Sequence, residues 1–271
     1  MTDQRRTDHE VGVLSRIREA LAVADSILKG FTPGAVEARL KAGDDPVTEA
    51  DIAVDRALRS LLVDDGEGWL SEETADRPDR IAKSRLWIVD PIDGTREFVS
   101  GIPEWCVSIG YVVDGEAVAG GILNRAAGQT ITGSISTGVR LNGSEVRVRG
   151  ATRLTDALVL ASRSEVNRGE WKRFDGAPFS VRPLGSIAYK LALVASGLAD
   201  ATWTLVPKNE WDIAAGVALV RSAGGIACTL DWTPPRFNGS LDTLVNGLVA
   251  GGERLVPAIR EFLAREDGSR F

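Results

Sequence analysis

A chain of 271 residues with 32 Lys and Arg against 38 Asp and Glu carries a net charge of −6, which argues against a general binder of nucleic acid or of membrane surfaces. Its 44% hydrophobic and 26% charged residues are those of a globular protein, with length enough for one large domain or two smaller ones. Cys106 and Cys228 lie far apart in apolar settings and read as reduced core thiols. The only histidine, His9, sits in a polar N-terminal stretch and reads as solvated, which makes a Ser-His-Asp hydrolase or a His-based zinc site a poor fit. The opening MTDQRRTDHE has no apolar signal region, and no apolar run is long enough to span a membrane; a cytoplasmic location is expected.

Leu14, Ile17, Leu21, Ala24 and Leu28, spaced by three and four, predict an amphipathic helix over 11–29 closed by Gly30. The polar loop Lys41-Ala42-Gly43-Asp44-Asp45-Pro46 fits a mobile lid and a surface linker equally well. Thr48-x-x-Asp51 ahead of Ile52, Val54, Leu58, Leu61 and Leu62 predicts a capped second helix, with Asp in place of the usual Glu. On the residues alone, Asp51 is a first-turn acid that favours the helix dipole. Trp69-Leu70-Ser71 reads as a strand that ends in Glu72 and Glu73; neighbours on a strand face opposite ways, so only one of the two acids can face a given site.

Leu86-Trp87-Ile88-Val89 reads as a buried strand that ends at Asp90, because Pro91 lacks the N–H a ladder needs. Trp105, Val107, Ile109, Tyr111 and Val113 alternate with smaller residues and predict a long strand with one bulky face. Asp114-Gly115 is a two-residue hairpin signal that returns the chain over 116–123. A strand over 129–133 and a hairpin through Asn142-Gly143 extend the antiparallel sheet. From about residue 151 strands and helices alternate: strands over 157–161, 179–183, 200–205, 226–230 and 247–250, helices over 165–174, 186–196, 212–223 and 253–264. The expected organisation is an α+β domain over 1–150 and an α/β domain over 151–271.

The chemistry concentrates after the LWIV strand. Asp90 and Asp93 sit at its mouth, followed by Gly94 and Thr95. Oxygen donors in that pattern suit a hard divalent cation with positions left for phosphate oxygens. Gly94 admits close backbone approach, and Thr95 can open a helix whose free N–H groups face an anion. A plain strand-to-helix turn is the alternative for these residues. Asp212, just after Trp211, opens a later helix and reads equally as an ordinary N-terminal acid.

The stretch WIVDPIDGTREF at 87–98 resembles the first signature of the inositol monophosphatase superfamily of Mg²⁺-dependent, lithium-sensitive phosphatases. WDIAAG at 211–216 resembles the second signature, and the stretches 45–51 and 70–73 match two further pieces in family order. The resemblance covers nearly the whole chain. It implies an α/β and α+β fold, a layered α-β-α-β-α sandwich with the active site between its two halves. It implies that Glu72, Asp90 and the carbonyl of Ile92 hold one Mg²⁺, that Asp90, Asp93 and Asp212 hold another, and that Glu72 with Asp51 nearby holds a weaker third. Two or three ions per site would follow. Thr95 would orient the attacking water, Asp51 and Glu72 would help polarise it, and the N–H groups of Gly94 and Thr95 would hold the phosphate. Such a set is physically coherent, because four or five acids converging in one cleft repel strongly without cations.

Specificity rests on weaker signals. DGTREF is more similar to the DGTKEF of bacterial 3′(2′),5′-bisphosphate nucleotidases than to the DGTTNF of ordinary inositol monophosphatases. The family's inositol-contacting Glu falls on Leu205. Lys190 falls where relatives bind a second phosphate, and Ser186 is offset by one residue from their serine. A solvent-facing helix lysine is the alternative reading for Lys190, and Lys208 could add charge near the cleft mouth. The expected activity is hydrolysis of the 3′-phosphate of 3′-phosphoadenosine 5′-phosphate. Inositol-1-phosphate, sugar phosphates and histidinol phosphate are the alternative substrates, and a non-catalytic regulatory relative is a reading from another class. The expected partner is a small phosphorylated metabolite, with no membrane and no nucleic acid polymer; a homodimer is compatible with the resemblance.

Overall fold

The computed structural model describes residues 3–41, 46–240 and 244–268. Helix α1 (Asp3–Leu28) begins at Asp3, well before the residue 11 that periodicity predicts. Periodicity marks only the apolar stripe, whereas the first turns are held by polar contacts. Glu10 is buried and accepts the N–H and hydroxyl of Ser136 at 2.8 and 2.6 Å. His9, expected in solvent, is half-buried, with its ring 5.8 Å from that of Tyr111.

Strands β1 (Ala38–Leu40) and β2 (Pro46–Thr48) pair antiparallel beside the start of α2 (Glu49–Leu62). The capping box forms as expected: Thr48 accepts the N–H groups of Ala50 and Asp51, and Asp51 accepts the Thr48 N–H at 2.8 Å. Then follow β3 (Gly68–Ser71), β4 (Arg85–Asp93), α3 (Thr95–Val99), β5 (Cys106–Val113), β6 (Glu116–Asn124), β7 (Gln129–Ser134), β8 (Gly138–Leu141) and β9 (Ser144–Val146). They form a seven-stranded sheet in the order β3-β4-β5-β6-β7-β8-β9, parallel only between β3 and β4. Both hairpin dipeptides, Asp114-Gly115 and Asn142-Gly143, have the positive φ that a two-residue turn between twisted strands needs.

The second sheet contains β10 (Leu158–Ser162), followed by α4 (Arg163–Asn167), then β11 (Ser180–Leu184), α5 (Ile187–Ala195), β12 (Ala201–Thr204), α6 (Glu210–Ser222), β13 (Gly225–Cys228), β14 (Leu248–Gly252) and the closing helix α7 (Val256–Gly268). Its order is β11-β10-β12-β14-β13, with β10 parallel to β11 and β12 and the remaining pairs antiparallel. The single helix predicted over 165–174 is not found. Gly169, at φ 79°, breaks it into α4 and a 3₁₀ turn over Glu170–Phe174.

The result is a layered sandwich. The bulky face of β5 (Val107, Ile109 and Tyr111), with Trp105 just before the strand, packs with the apolar stripes of α1 and α2. The opposite face of that sheet, together with α5, α6 and the inner face of the second sheet, forms the central core. The outer face of the second sheet packs under α7 in a third cluster that stacks Trp171 on Trp203 at 5.3 Å. Helix α6 lies very close to β6, because a Cβ at Gly120 would stand 2.5 Å from the Ala215 carbonyl oxygen. Cys106 and Cys228 are both buried free thiols. Among the described residues, no helix is long and apolar enough to cross a membrane.

Candidate active site

The site is built where β4 ends. Asp90 is 1% exposed, and its carboxylate accepts the Ile92 N–H at 3.0 Å. The register of β4 against β5 shifts between Asp90 and Asp93. A bulge of this kind re-aims side chains, so that two acids at odd spacing can serve one cavity. Gly94, at φ 96°, turns the chain into α3. The Thr95 hydroxyl lies 2.9 Å from the Ile92 carbonyl and 3.3 Å from the Asp51 carboxylate. The other Asp51 oxygen accepts the Thr48 hydroxyl at 2.5 Å. A first-turn acid of α2 and the first residue of α3 are thereby brought together.

Asp212 comes from the second sheet's side, where its carboxylate caps α6 by accepting the Asn209 N–H at 3.0 Å. Asp93 accepts the Ser186 hydroxyl at 2.6 Å and the Ala188 N–H at 2.6 Å, so the start of α5 grips an acid of the first sheet. Glu72 and Glu73 diverge as neighbours past a strand must. Glu72 faces the cavity and Glu73 a separate surface pocket, and the Lys41 ammonium bridges them at 2.9 and 2.5 Å. The rest of the Lys41 loop, residues 42–45, lies outside the described residues.

These groups line a cavity of about 310 Å³. Glu72, Asp90, Ile92, Asp93, Gly94, Thr95, Ser186, Lys190 and Asp212 all border it, and Asp51 stands behind Thr95. Lys190 is not a solvent-facing lysine: it is 2% exposed, and its ammonium donates to the Leu184 carbonyl at 3.2 Å. Burial pushes it down to about 8, against the opposing pull of Asp93. Leu205 packs against the third apolar cluster.

Electrostatics mark the cluster as strained. Burial, then the charges of Glu72, Asp93 and Asp212, push Asp90 well above the carboxylate range. Asp212 is pushed up to about 8 by burial and then by Asp93. Burial also raises Glu72, Asp93 and Asp51, although hydrogen bonds or nearby lysines oppose each of these shifts. Among the described residues, no three acids are drawn into a ready-made cage. Each is held instead by its own protein donors: Ile92 for Asp90, Ser186 and Ala188 for Asp93, Asn209 for Asp212 and Lys41 for Glu72. The donor set still fits a hard cation: it is oxygen-only, without His or Cys, and its mutual repulsion is the kind that bound cations relieve.

Sequence reasoning missed the far wall. Ser162 at the end of β10, Arg163 and Ser164 just after it, and Thr204 at the end of β12 border the cavity, and Glu104 reaches Arg163 and the Gly185 N–H there. A signal was present: the apolar run LVLA ends in Ser-Arg-Ser, and open α/β sheets bind ligands beyond their strands' carboxyl ends.

An oxygen-only donor set beside cationic side chains in one cavity suits the metal-assisted chemistry of phosphate esters. The chain matches the sequence profile of the Inositol monophosphatase family over residues 11–264, and it belongs to that family. It is therefore a metal-dependent phosphatase of a family that is generally Mg²⁺-dependent. It is 34% identical over 230 residues to an inositol-1-monophosphatase of Mesorhizobium japonicum, covering 82% of this chain and 83% of that one. It is 30% identical over 259 residues to the Nus factor SuhB of Escherichia coli, covering 90% and 92%. Among solved structures it is similar to an IMPase of Thermotoga maritima, with a TM-score of 0.79, 26% identity, and 97% and 99% of the chains covered. It is also similar to the extragenic suppressor protein SuhB of Bartonella henselae, with a TM-score of 0.78, 28% identity, and 94% and 98% covered.

Proposed function

We propose that the chain hydrolyses the 3′-phosphate of 3′-phosphoadenosine 5′-phosphate. The observation that carries this reading is the cationic side of the cavity: Arg96, Arg163, Lys190 and Lys208 border the same space as the acids. A monophosphate of a neutral polyol does not need that charge, and Leu205 brings no polar group to such a polyol.

In this reading Glu72, Asp90, Asp93, Asp212 and the Ile92 carbonyl would hold Mg²⁺ ions, two or three in number. When bound, Mg²⁺ supplies charge neutralisation and acidity for the attacking water. Thr95 orients that water through its hydroxyl, and Asp51 behind it accepts the proton. The N–H groups of Gly94 and Thr95 hold the phosphate that is removed. Lys190, at the start of α5, and Ser186 form the floor under the rest of the substrate.

A second reading, inositol-1-phosphate hydrolysis, is favoured by the names of the relatives in Mesorhizobium japonicum and Thermotoga maritima. The deciding experiment is a panel of kcat/KM values with Mg²⁺ for 3′-phosphoadenosine 5′-phosphate, inositol 1-phosphate, a sugar phosphate and histidinol phosphate. The bisphosphate is expected to lead. Leadership by any monophosphate overturns this reading in favour of that substrate. Phosphate release from none of them would favour the regulatory reading that the name of SuhB in Escherichia coli suggests.

A further inference from the structure

The far wall of the cavity comes from the second sheet. Three parallel strands, β10, β11 and β12, end at that wall, and each contributes to it: Arg163 just after β10, Gly185 just after β11, and Thr204 closing β12. The carboxyl ends of parallel strands are where open α/β sheets place ligands.

Arg163 is held there rather than left to swing. Its Nε and Nη2 donate to one oxygen of Glu104, at 3.2 and 2.5 Å. The same oxygen accepts the Gly185 N–H at 2.8 Å. Glu104 belongs to the segment before β5 in the first sheet, so this carboxylate clamps the two halves of the cavity together. Nη1 of Arg163 has no protein partner among the described residues, and the side chain is about one-third exposed, at 34%. A guanidinium fixed on one edge and open on the other is prepared for a second oxygen ligand.

The wall's charge agrees with an anion. Arg163, Lys190 and Lys208 bring cations to this space, and the Glu104 carboxylate beside them is already engaged by Arg163. Glu97 packs against Gly185, where a Cβ would meet its carboxylate at 2.5 Å. The clamp also continues towards the chemistry. Gly185 is followed by Ser186, held at φ 51°, whose hydroxyl bonds Asp93.

We propose that Arg163 is a specificity-determining residue that binds a second phosphate on the substrate's leaving group, and that Glu104 is the positioning residue that aims it. This rests on the bisphosphate reading above. The matched substrates are 3′-phosphoadenosine 5′-phosphate and adenosine 3′-phosphate, which differ only in the 5′-phosphate.

The test measures kcat/KM for both substrates in the Mg²⁺-loaded wild type and in Arg163→Gln, Arg163→Lys and Glu104→Gln. The wild type should prefer the bisphosphate. Arg163→Gln should lower that preference roughly ten- to hundredfold, mainly through KM, as expected for one charge-assisted contact to phosphate. Arg163→Lys should fall between, because it keeps the charge and loses the fork. Glu104→Gln keeps an oxygen for the Gly185 N–H but releases Arg163, so it should lower the same preference by a smaller factor. The product arm reads binding directly: inhibition by adenosine 5′-phosphate should weaken in Arg163→Gln by a factor similar to the lost preference.

A wild-type preference that survives in Arg163→Gln leaves the bisphosphate reading standing and overturns the role of Arg163. An equal loss on both substrates makes Arg163 structural and overturns it too. A wild type without preference for the bisphosphate overturns both. If Arg163→Gln does not fold, the comparison of Arg163→Lys with Glu104→Gln decides, because unchanged preference in both overturns the proposal.

Discussion

Ser186 donates its hydroxyl proton to Asp93 across 2.6 Å while its own backbone stands at φ 51°. A non-glycine residue held in that region costs about 1–3 kcal/mol and persists where the surroundings fix it. Here the surroundings include the Tyr189 N–H, which the same hydroxyl oxygen accepts at 3.0 Å, and the Cys106 thiol at 3.4 Å. The strain therefore holds an acid of one sheet from the first turn of a helix against the other.

Two variants separate the strain from the bond. Ser186→Ala keeps the unfavourable φ and loses the hydroxyl; Ser186→Gly loses both. Each should weaken Mg²⁺ affinity roughly ten- to hundredfold, the usual cost of removing a group that orients a metal-binding carboxylate. Ser186→Gly should nevertheless be the more stable of the two in chelator, by about 1 kcal/mol or more. Calorimetric Mg²⁺ titration and thermal melts in chelator read both quantities. Wild-type Mg²⁺ affinity in both variants would show that Asp93 needs no help from Ser186.

Asp90→Asn tests the acid at the centre of the cluster. Burial and the charges of Glu72, Asp93 and Asp212 hold Asp90 well above its usual range, so its charge costs stability in the absence of cations. The variant should melt in chelator at or above the wild-type temperature. It should also lose turnover by roughly a thousandfold or more, because a shared cation ligand supports several kcal/mol of transition-state stabilisation. Wild-type-like Mg²⁺-dependent turnover would remove Asp90 from the proposed ligand set.

Lys190→Met tests the cavity floor. Methionine preserves most of the buried volume and deletes the charge. If Lys190 acts on the second phosphate through space, the bisphosphate-to-monophosphate ratio of kcat/KM should fall roughly three- to tenfold. That is less than for a direct bond, because the ammonium already donates to the Leu184 carbonyl at 3.2 Å. The fall should resist added salt, because the group is 2% exposed and buried charges are weakly screened. An unchanged ratio would make Lys190 a structural support of the β11–α5 turn.

Much of this architecture was legible because the signals are local. The Thr48–Asp51 capping box, the two hairpin dipeptides and the alternating bulky face of β5 each follow from a few neighbouring residues, and each forms as expected. What was not legible depends on distant segments meeting. Nothing near Glu104 announces Arg163 or Gly185, which arrive from the far side of the chain. The burial of Lys190 was partly readable, because SIAYKLALVAS is apolar nearly all round and α5 is buried at every residue. The solvent-facing alternative for Lys190 fails for that reason. The helix predicted over 165–174 fails because Gly169 sits inside the helical pattern and adopts a left-handed conformation there.

Glu67 anchors the side of the sandwich remote from the site. Its two oxygens accept the Trp87 indole N–H at 2.9 Å, the Tyr111 hydroxyl at 2.9 Å, the Arg16 guanidinium at 2.9 Å and the Asp64 N–H at 3.2 Å. Burial pushes this carboxyl up, but the bonds from Trp87, Arg16, Tyr111 and Asp64 outweigh it and leave Glu67 below its usual value. Glutamine at 67 could satisfy only part of this set, since its amide NH₂ would face donors. Glu67→Gln should therefore cost on the order of 2–3 kcal/mol at pH 7, measured as a shift in urea midpoint. The pH dependence has a fixed sign. A carboxyl whose folded value is lowered contributes stability fully above its unfolded value of about 4.3, and that contribution is lost as pH falls through the folded value. The gap between wild type and variant should stay constant from about pH 6 to 8 and close below about pH 4. A gap that persists undiminished at pH 3 would show that Glu67 acts through packing rather than through its charge.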